Sequence, residues 1–211
     1  MHWSLPEAVA LLLRSQDRAG GHVPQPLGDL AIVSAALMEL SLAGRIDTDR
    51  DLLTLIDPRP IGDAELDAVL ATLAGPPQPS VAALSVLLPR ARVLREAAEL
   101  RLVAAGALPD PLATFLWDLQ RPAVPVPRAG AELAARVALL LLSDEIPAPR
   151  DALLVGLVQG SGLMRLLLHP DQAAARAARI AWVAGLEALS RSLTQAMRST
   201  YARLLRDGAV A

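Results

Sequence analysis

Residues 32–60 constrain the fold more than any other stretch, because they prescribe a helix, a sharp stop and a small hairpin in one short run. Ile32, Ala36, Met38, Leu40 and Leu42 recur at roughly helical spacing, and Glu39 is the sole charge before Arg45. The first half therefore reads as an amphipathic helix. Gly44 can end it, since glycine enters the left-handed cap conformation without a steric penalty. Ile46 then opens an extended segment, residues 52–56 are β-prone, and Asp57-Pro58 stops them.

The same order returns downstream. Residues 94–108 read as a helix ending in Ala-Gly and an aliphatic residue, residues 115–119 (FLWDL) as a short strand, and Pro122 closes the unit. Gly44 precedes Asp57 by thirteen positions, and Gly106 precedes Asp118 by twelve. We read this as a structural pseudo-repeat.

The remaining punctuation is also helical. Ser4-Leu5-Pro6-Glu7 is a capping box with proline in the first turn. Asp29 is placed to cap the central helix, Asp63 a helix that Gly75 ends, and Ser80 the helix after Pro76, Pro77 and Pro79, which read as a rigid surface linker. Pro89 separates that helix from the next. Residues 131–142 and 151–159 read as helices. Residues 172–206 form one long helix or two broken near Gly185, with Ile180, Val183, Leu186, Leu189, Leu193, Met197 and Leu204/Leu205 as one buried stripe.

Aromatic residues make up 2% of the chain and hydrophobic residues 53%, so the core must be Leu, Val and Ala, which suits helices better than a sandwich. The expected fold is mainly α: a single-domain helical bundle over residues 1–211 with small β-hairpins. No apolar run approaches the roughly 18 to 20 residues that cross a bilayer. No basic leader region with a cleavage site is visible, and there is no cysteine, so neither a disulfide framework nor a thiolate metal site is available. These features fit a cytoplasmic protein. The net charge of −2 and pI near 5.9 disfavour broad nucleic-acid binding. All 20 cationic side chains are arginine, which together with abundant alanine reads as genome composition of a bacterial kind. Any anionic ligand would then meet guanidinium groups, which grip phosphate oxygens bidentately.

Catalytic and metal patterns fail one by one. Asp47-x-Asp49-x-Asp51 imitates the start of a calcium loop, but Leu52 and Pro58 stand where glycine and a bidentate glutamate are needed. Gly160-Ser161-Gly162 fits neither a dinucleotide fingerprint nor a nucleophile elbow. His2, His22 and His169 show no metal spacing and no local acid partner. We therefore expect no enzyme activity, no metal and no cofactor. One cluster stands out: Arg92 and Arg95, with Arg90 before them and Arg101 beyond. Three residues apart on a helix, Arg92 and Arg95 share a face and could clamp a phosphate beside a buried stripe of Leu94, Ala98, Leu102 and Ala105. They could equally be surface arginines paired with Glu96 and Glu99.

In the segments SLPEAVALLL, LMELSLAGRI, DPRPIGDAELDAVLATLA, LREAAELRLVAAGAL with FLWDL, and DALLVGLVQGSGL, the chain resembles the Golgi phosphoprotein 3 family of peripheral membrane proteins. The resemblance implies a mainly helical fold and a non-enzymatic adaptor that binds the phosphatidylinositol 4-phosphate headgroup, or another anionic phospholipid, on the cytoplasmic face of a membrane. It implies a pocket built by a Trp before the central helix, an Arg early in that helix, and two Arg three apart in a later helix. Anchored on the two Ala-Gly stops, the later pair falls on Arg92 and Arg95, whereas the Trp and first Arg fall on Pro24 and Val33. Weaker binding of anionic lipid and binding of a different phosphorylated ligand both remain open. The resemblance also makes the second hairpin, with Phe115, Leu116 and Trp117, a contact for membrane or for a second copy in a homo-oligomer. Two other classes stand beside this reading: a winged-helix-like nucleic-acid regulator, which the acidic balance opposes, and a protein-binding scaffold with a vestigial phosphate site.

Overall fold

At the centre of the fold, helix α2 (Gln25–Leu42) is buried on nearly every side: Leu30 to Met38 and Leu40 are all inaccessible. It is not the half-exposed amphipathic helix that the spacing suggests, because other helices cover all of its faces. The computed structural model describes residues 3–16, 23–49, 51–110 and 128–208. Around α2 stand α1 (Leu5–Gln16), α5 (Ala91–Ala104), α7 (Pro149–Ser161) and α10 (Ala188–Arg206), each packed directly against it. The other elements are α3 (Ala64–Thr72), α4 (Ser80–Leu87), α6 (Arg128–Leu142), α8 (Pro170–Ala175) and α9 (Ala177–Ala184). Each fully buried Leu or Ile in this core contributes about 2 kcal/mol.

The stops act as read. The Gly44 N–H bonds to the Ser41 carbonyl and the Arg45 N–H to the Leu40 carbonyl, with Gly44 at φ 67°. Gly106 at φ 70° repeats the arrangement: its N–H bonds to Val103 O, and the Ala107 N–H to Leu102 O. Both are Schellman caps, which satisfy the last helical carbonyls. The strand of the second unit, with Phe115, Leu116 and Trp117, lies outside the described residues. The Ser4–Glu7 box also forms, with the Ser4 N–H on Glu7 Oε2 at 2.9 Å.

After Gly44, β1 (Ile46–Asp49) and β2 (Leu52–Leu55) pair antiparallel, with Asp51 at φ 68° in the turn. Residues 76–79 are not merely a linker: Gln78 and Pro79 form a third strand, β3, paired with Leu53 and Leu52. Proline is tolerated there because β3 is an edge strand. Ser80 does not cap α4. Its hydroxyl meets Ser192 Oγ at 2.7 Å and ties α4 to α10. Asp29 is likewise no cap, since α2 begins a turn earlier with Pro24 as its N-cap. Asp63 does cap α3, accepting from the Glu65 and Leu66 N–H groups.

The C-terminal stretch is three helices, not one or two, with breaks at Arg176 and at Gly185–Glu187. The second break rotates the apolar stripe. Ile180, Val183, Leu189, Leu193 and Met197 are buried, while Leu186 and Leu205 face outward. Ala105, in the cap of α5, is exposed too. His169 does have an acid neighbour, Asp171 at 3.4 Å, with both side chains solvated.

Arg45 and Arg59 both pair with Asp57 where the hairpin ends, at 2.5 and 2.8 Å. Hydrogen bonds from the Arg59 side chain and backbone, with the Arg45 charge behind them, hold the Asp57 carboxyl down at about 2. The native state thus releases this proton more readily than the unfolded chain. The stability it adds is complete above about pH 4 and is lost as pH falls through 2. Asp57→Asn is expected to flatten the acid limb of a stability–pH curve in that window. An acid limb unchanged by the substitution would show that the pair is energetically idle.

Candidate functional site

A proline-containing 3₁₀ turn, Leu88–Arg90, delivers the chain into α5. Ala91, Leu94, Ala98 and Leu102 form the buried face of that helix. At 100° per residue, Arg95 sits at the edge of this face and Arg92 a further 60° out. Their exposures follow: the Arg95 side chain is 28% exposed and that of Arg92 86%.

Both arginines line one cleft of about 570 Å³ between α5, α1 and the start of α2, with Arg14, Gln25, Gly28 and Asp29 on the other walls. Gly28 forms part of its floor, where a Cβ would make ordinary contact with Leu13 at 3.4 Å and with the Arg95 guanidinium at 3.5 Å. The N-terminus of α2, which lacks a side-chain cap, opens beside the cleft and adds a partial positive charge.

Each cation of the cleft has an acid beside it. Arg92 pairs with Glu96 at 2.7 Å, Arg95 with Asp29, and Arg14 with Glu99 at 2.6 Å. Three guanidinium groups thus face three carboxylates. The pairs differ in strength for a physical reason. Arg92–Glu96 is an exposed i,i+4 pair in high dielectric, which an incoming phosphate can displace at little cost. Asp29–Arg95 is half-buried. Burial pushes the Asp29 carboxyl above its ordinary value, and it does so more strongly than the Arg95 charge and a Gln25 hydrogen bond bring it down. Arg90 is turned away toward Glu65, and Arg101 toward Glu7 and Asp63.

Pro24 stands at the N-cap of α2, next to the cleft, but Val33 is wholly inside the core. One turn earlier on the same side of α2 is Asp29, whose carboxylate occupies Arg95. Where the family pattern puts a cation in this helix, the chain has instead a buried valine and a nearby acid. Sequence reasoning missed Asp29, Arg14 and Gly28. The available signal was the four-residue step from Asp29 to Val33, but what Asp29 meets depends on α5. Asp47 and Asp49 point outward from β1. Among the described residues, no group of three or more His, Asp or Glu side chains could hold a metal ion.

The family model described as Golgi phosphoprotein 3 (GPP34) matches residues 5–200. The chain belongs to the Golgi phosphoprotein 3 family. The match takes in both Schellman-capped helices, the first hairpin and the cleft, ending within α10. No curated protein matches the chain. Among its described residues, no helix is long and apolar enough to cross a membrane.

Proposed function

We propose that this member of the Golgi phosphoprotein 3 family is a non-enzymatic peripheral membrane protein that binds an anionic phospholipid headgroup, phosphoinositides included, in the α5–α2 cleft. Arg92 and Arg95 are the phosphate ligands. Phe115, Leu116 and Trp117 supply apolar contact with the membrane or with a second copy. The protein docks on the cytoplasmic face and serves as an adaptor there. The observation that carries this reading is the convergence of Arg92, Arg95 and the start of α2, which no side chain caps, on one cleft. Bound phosphate displaces Glu96 from Arg92 and competes with Asp29 for Arg95.

Two arginines near an anionic surface contribute about 2 kcal/mol, roughly thirtyfold in affinity. In co-sedimentation with vesicles containing phosphatidylinositol 4-phosphate, Arg92→Ala with Arg95→Ala is expected to lose that much. Binding equal to the parent would sink the assignment. Asp29→Asn works in the opposite sense. It frees Arg95 and gives the cleft a net positive charge, so binding should tighten several-fold, by about 1 kcal/mol. Protonation of Asp29 does the same, so the parent should bind more tightly as pH falls through its raised pKa, and Asp29→Asn should lose that pH dependence. The effect of Asp29 on stability has the reverse sign to that of Asp57. Its native pKa is raised, so stability increases as pH drops from that value toward 3.8.

A further inference from the structure

Among the described residues most arginines have an acid partner, and the exceptions are gathered in one region. Arg165, Arg179, Arg191, Arg198, Arg203 and Arg206 make no ion pair among the described residues, and all six follow residue 160. Four of them are on α10, whose 19 residues include no acid. The inner side of this helix is buried through Leu189, Leu193, Ala196 and Met197. On the outer side, Arg191, Arg198, Ala202 and Leu205 fall within a narrow sector at 100° per residue, with Arg206 beside it. Leu205 is 52% exposed.

The face continues past the start of α10. Arg191 donates to the Gly185 carbonyl, and the Gly185 N–H bonds back to Ala181 and Trp182. This ties the Arg191 side chain to the C-cap of α9, the helix that carries Trp182, which is 48% exposed with the Arg179 guanidinium 4.8 Å above its ring. Leu186, between them, is 39% exposed. From Arg191 to Arg206 the ridge on α10 runs about 23 Å, at 1.5 Å per residue. Its guanidinium groups make no ion pair among the described residues, although Glu187 and Asp207 flank the helix as its caps, and Leu205 on α10 with Trp182 and Leu186 just before it add apolar groups.

We propose that this ridge is a second docking surface, complementary in charge to an anionic lipid bilayer and separate from the α5–α2 cleft. A flat array of phosphates neutralises a row of cations that no protein carboxylate occupies. Trp182 suits the headgroup level, with an apolar ring and a wet N–H. Leu186 and Leu205 add shallow apolar contact. Recognition here is of surface charge and not of one headgroup, because the arginines are strung along a convex helix and enclose no pocket.

The test uses the full chain and phosphatidylcholine vesicles that contain phosphatidylglycerol but no phosphoinositide. Binding should weaken steeply with salt. The triple substitution Arg191→Gln, Arg198→Gln and Arg206→Gln, all at exposed positions, should lower affinity by on the order of tenfold or more. The triple substitution should weaken binding by the same factor whether or not Arg92→Ala and Arg95→Ala are also present, because independent sites add, and this separates the ridge from the headgroup cleft. The blue shift of tryptophan emission on vesicle binding should shrink in Trp182→Phe. Equal vesicle binding by parent and triple variant, or a blue shift unaltered by Trp182→Phe, overturns the proposal. So does a gel shift of random duplex DNA that the triple substitution abolishes while vesicle binding survives.

Discussion

Glu39→Ala is expected to lower folding stability by about 3 kcal/mol, the low end of what breaking a buried ion pair costs. Glu39 lies on α2 with its side chain 15% exposed. Its two oxygens accept from Arg150 of α7 at 2.7 and 2.8 Å, and Oε2 also accepts from the Leu5 N–H at 2.7 Å. One carboxylate thus joins the start of α1, the last turn of α2 and the first turn of α7. Truncation strands the Arg150 charge and orphans a backbone donor at the start of α1. Arg150 keeps 33% of its side chain in solvent, which is why the low end applies. Glu39→Gln, which preserves the acceptor for Leu5, should cost about half as much, and adding Arg150→Leu to Glu39→Leu should cost less than the Glu39 change alone. Urea denaturation measures all four. A loss under about 1 kcal/mol for Glu39→Ala would mean the joint does not hold the three helices together.

Gly156→Leu should cost about as much, through overpacking. α7 approaches α10 so closely that a Cβ on Gly156 would stand 1.9 Å from Ser190 Oγ and 3.3 Å from Ser190 Cβ. A turn later, a Cβ on Gly160 would stand 2.3 Å from Met197 Cε. The two glycines therefore set the distance between helices, and neither needs an unusual backbone angle. Gly156→Ala alone should cost about 1–2 kcal/mol. The Ser190 hydroxyl is buried and has no hydrogen-bond partner among the described residues, so Ser190→Ala should be nearly neutral by itself. Combined with Gly156→Ala it should recover most of the loss. Thermal melts of the two single variants and the double give the coupling. Additive losses would place the strain elsewhere.

Local features of the chain were legible, and the physics explains which. The glycine stops at 44 and 106, the Ser4–Glu7 box and the Asp63 cap depend on neighbours within four residues, and all formed as read. Helix α2 was legible as a helix but not as the centre of the bundle, since its surroundings come from α1, α5, α7 and α10. Gln78 and Pro79 became a strand because β2 offered an open edge. Ser80 failed as a cap because Ser192, 112 residues away, took its hydroxyl. At the candidate site, the three-residue spacing did predict that Arg92 and Arg95 share a flank of α5. Their partners divide along the same line: Glu96 is one turn from Arg92, whereas Asp29 is 66 residues from Arg95.

The amino-acid order by itself determined a helical chain with its stops, one short hairpin and family membership, because caps, periodicity and turn residues act over a few positions. Only the tertiary structure decided which charges are cancelled. It set Asp29 against Arg95 and Glu39 against Arg150, and among the described residues it left the arginines of α10 without ion pairs. Coulomb interaction depends on distance in space, and packing brings together or keeps apart side chains that the sequence leaves far from one another.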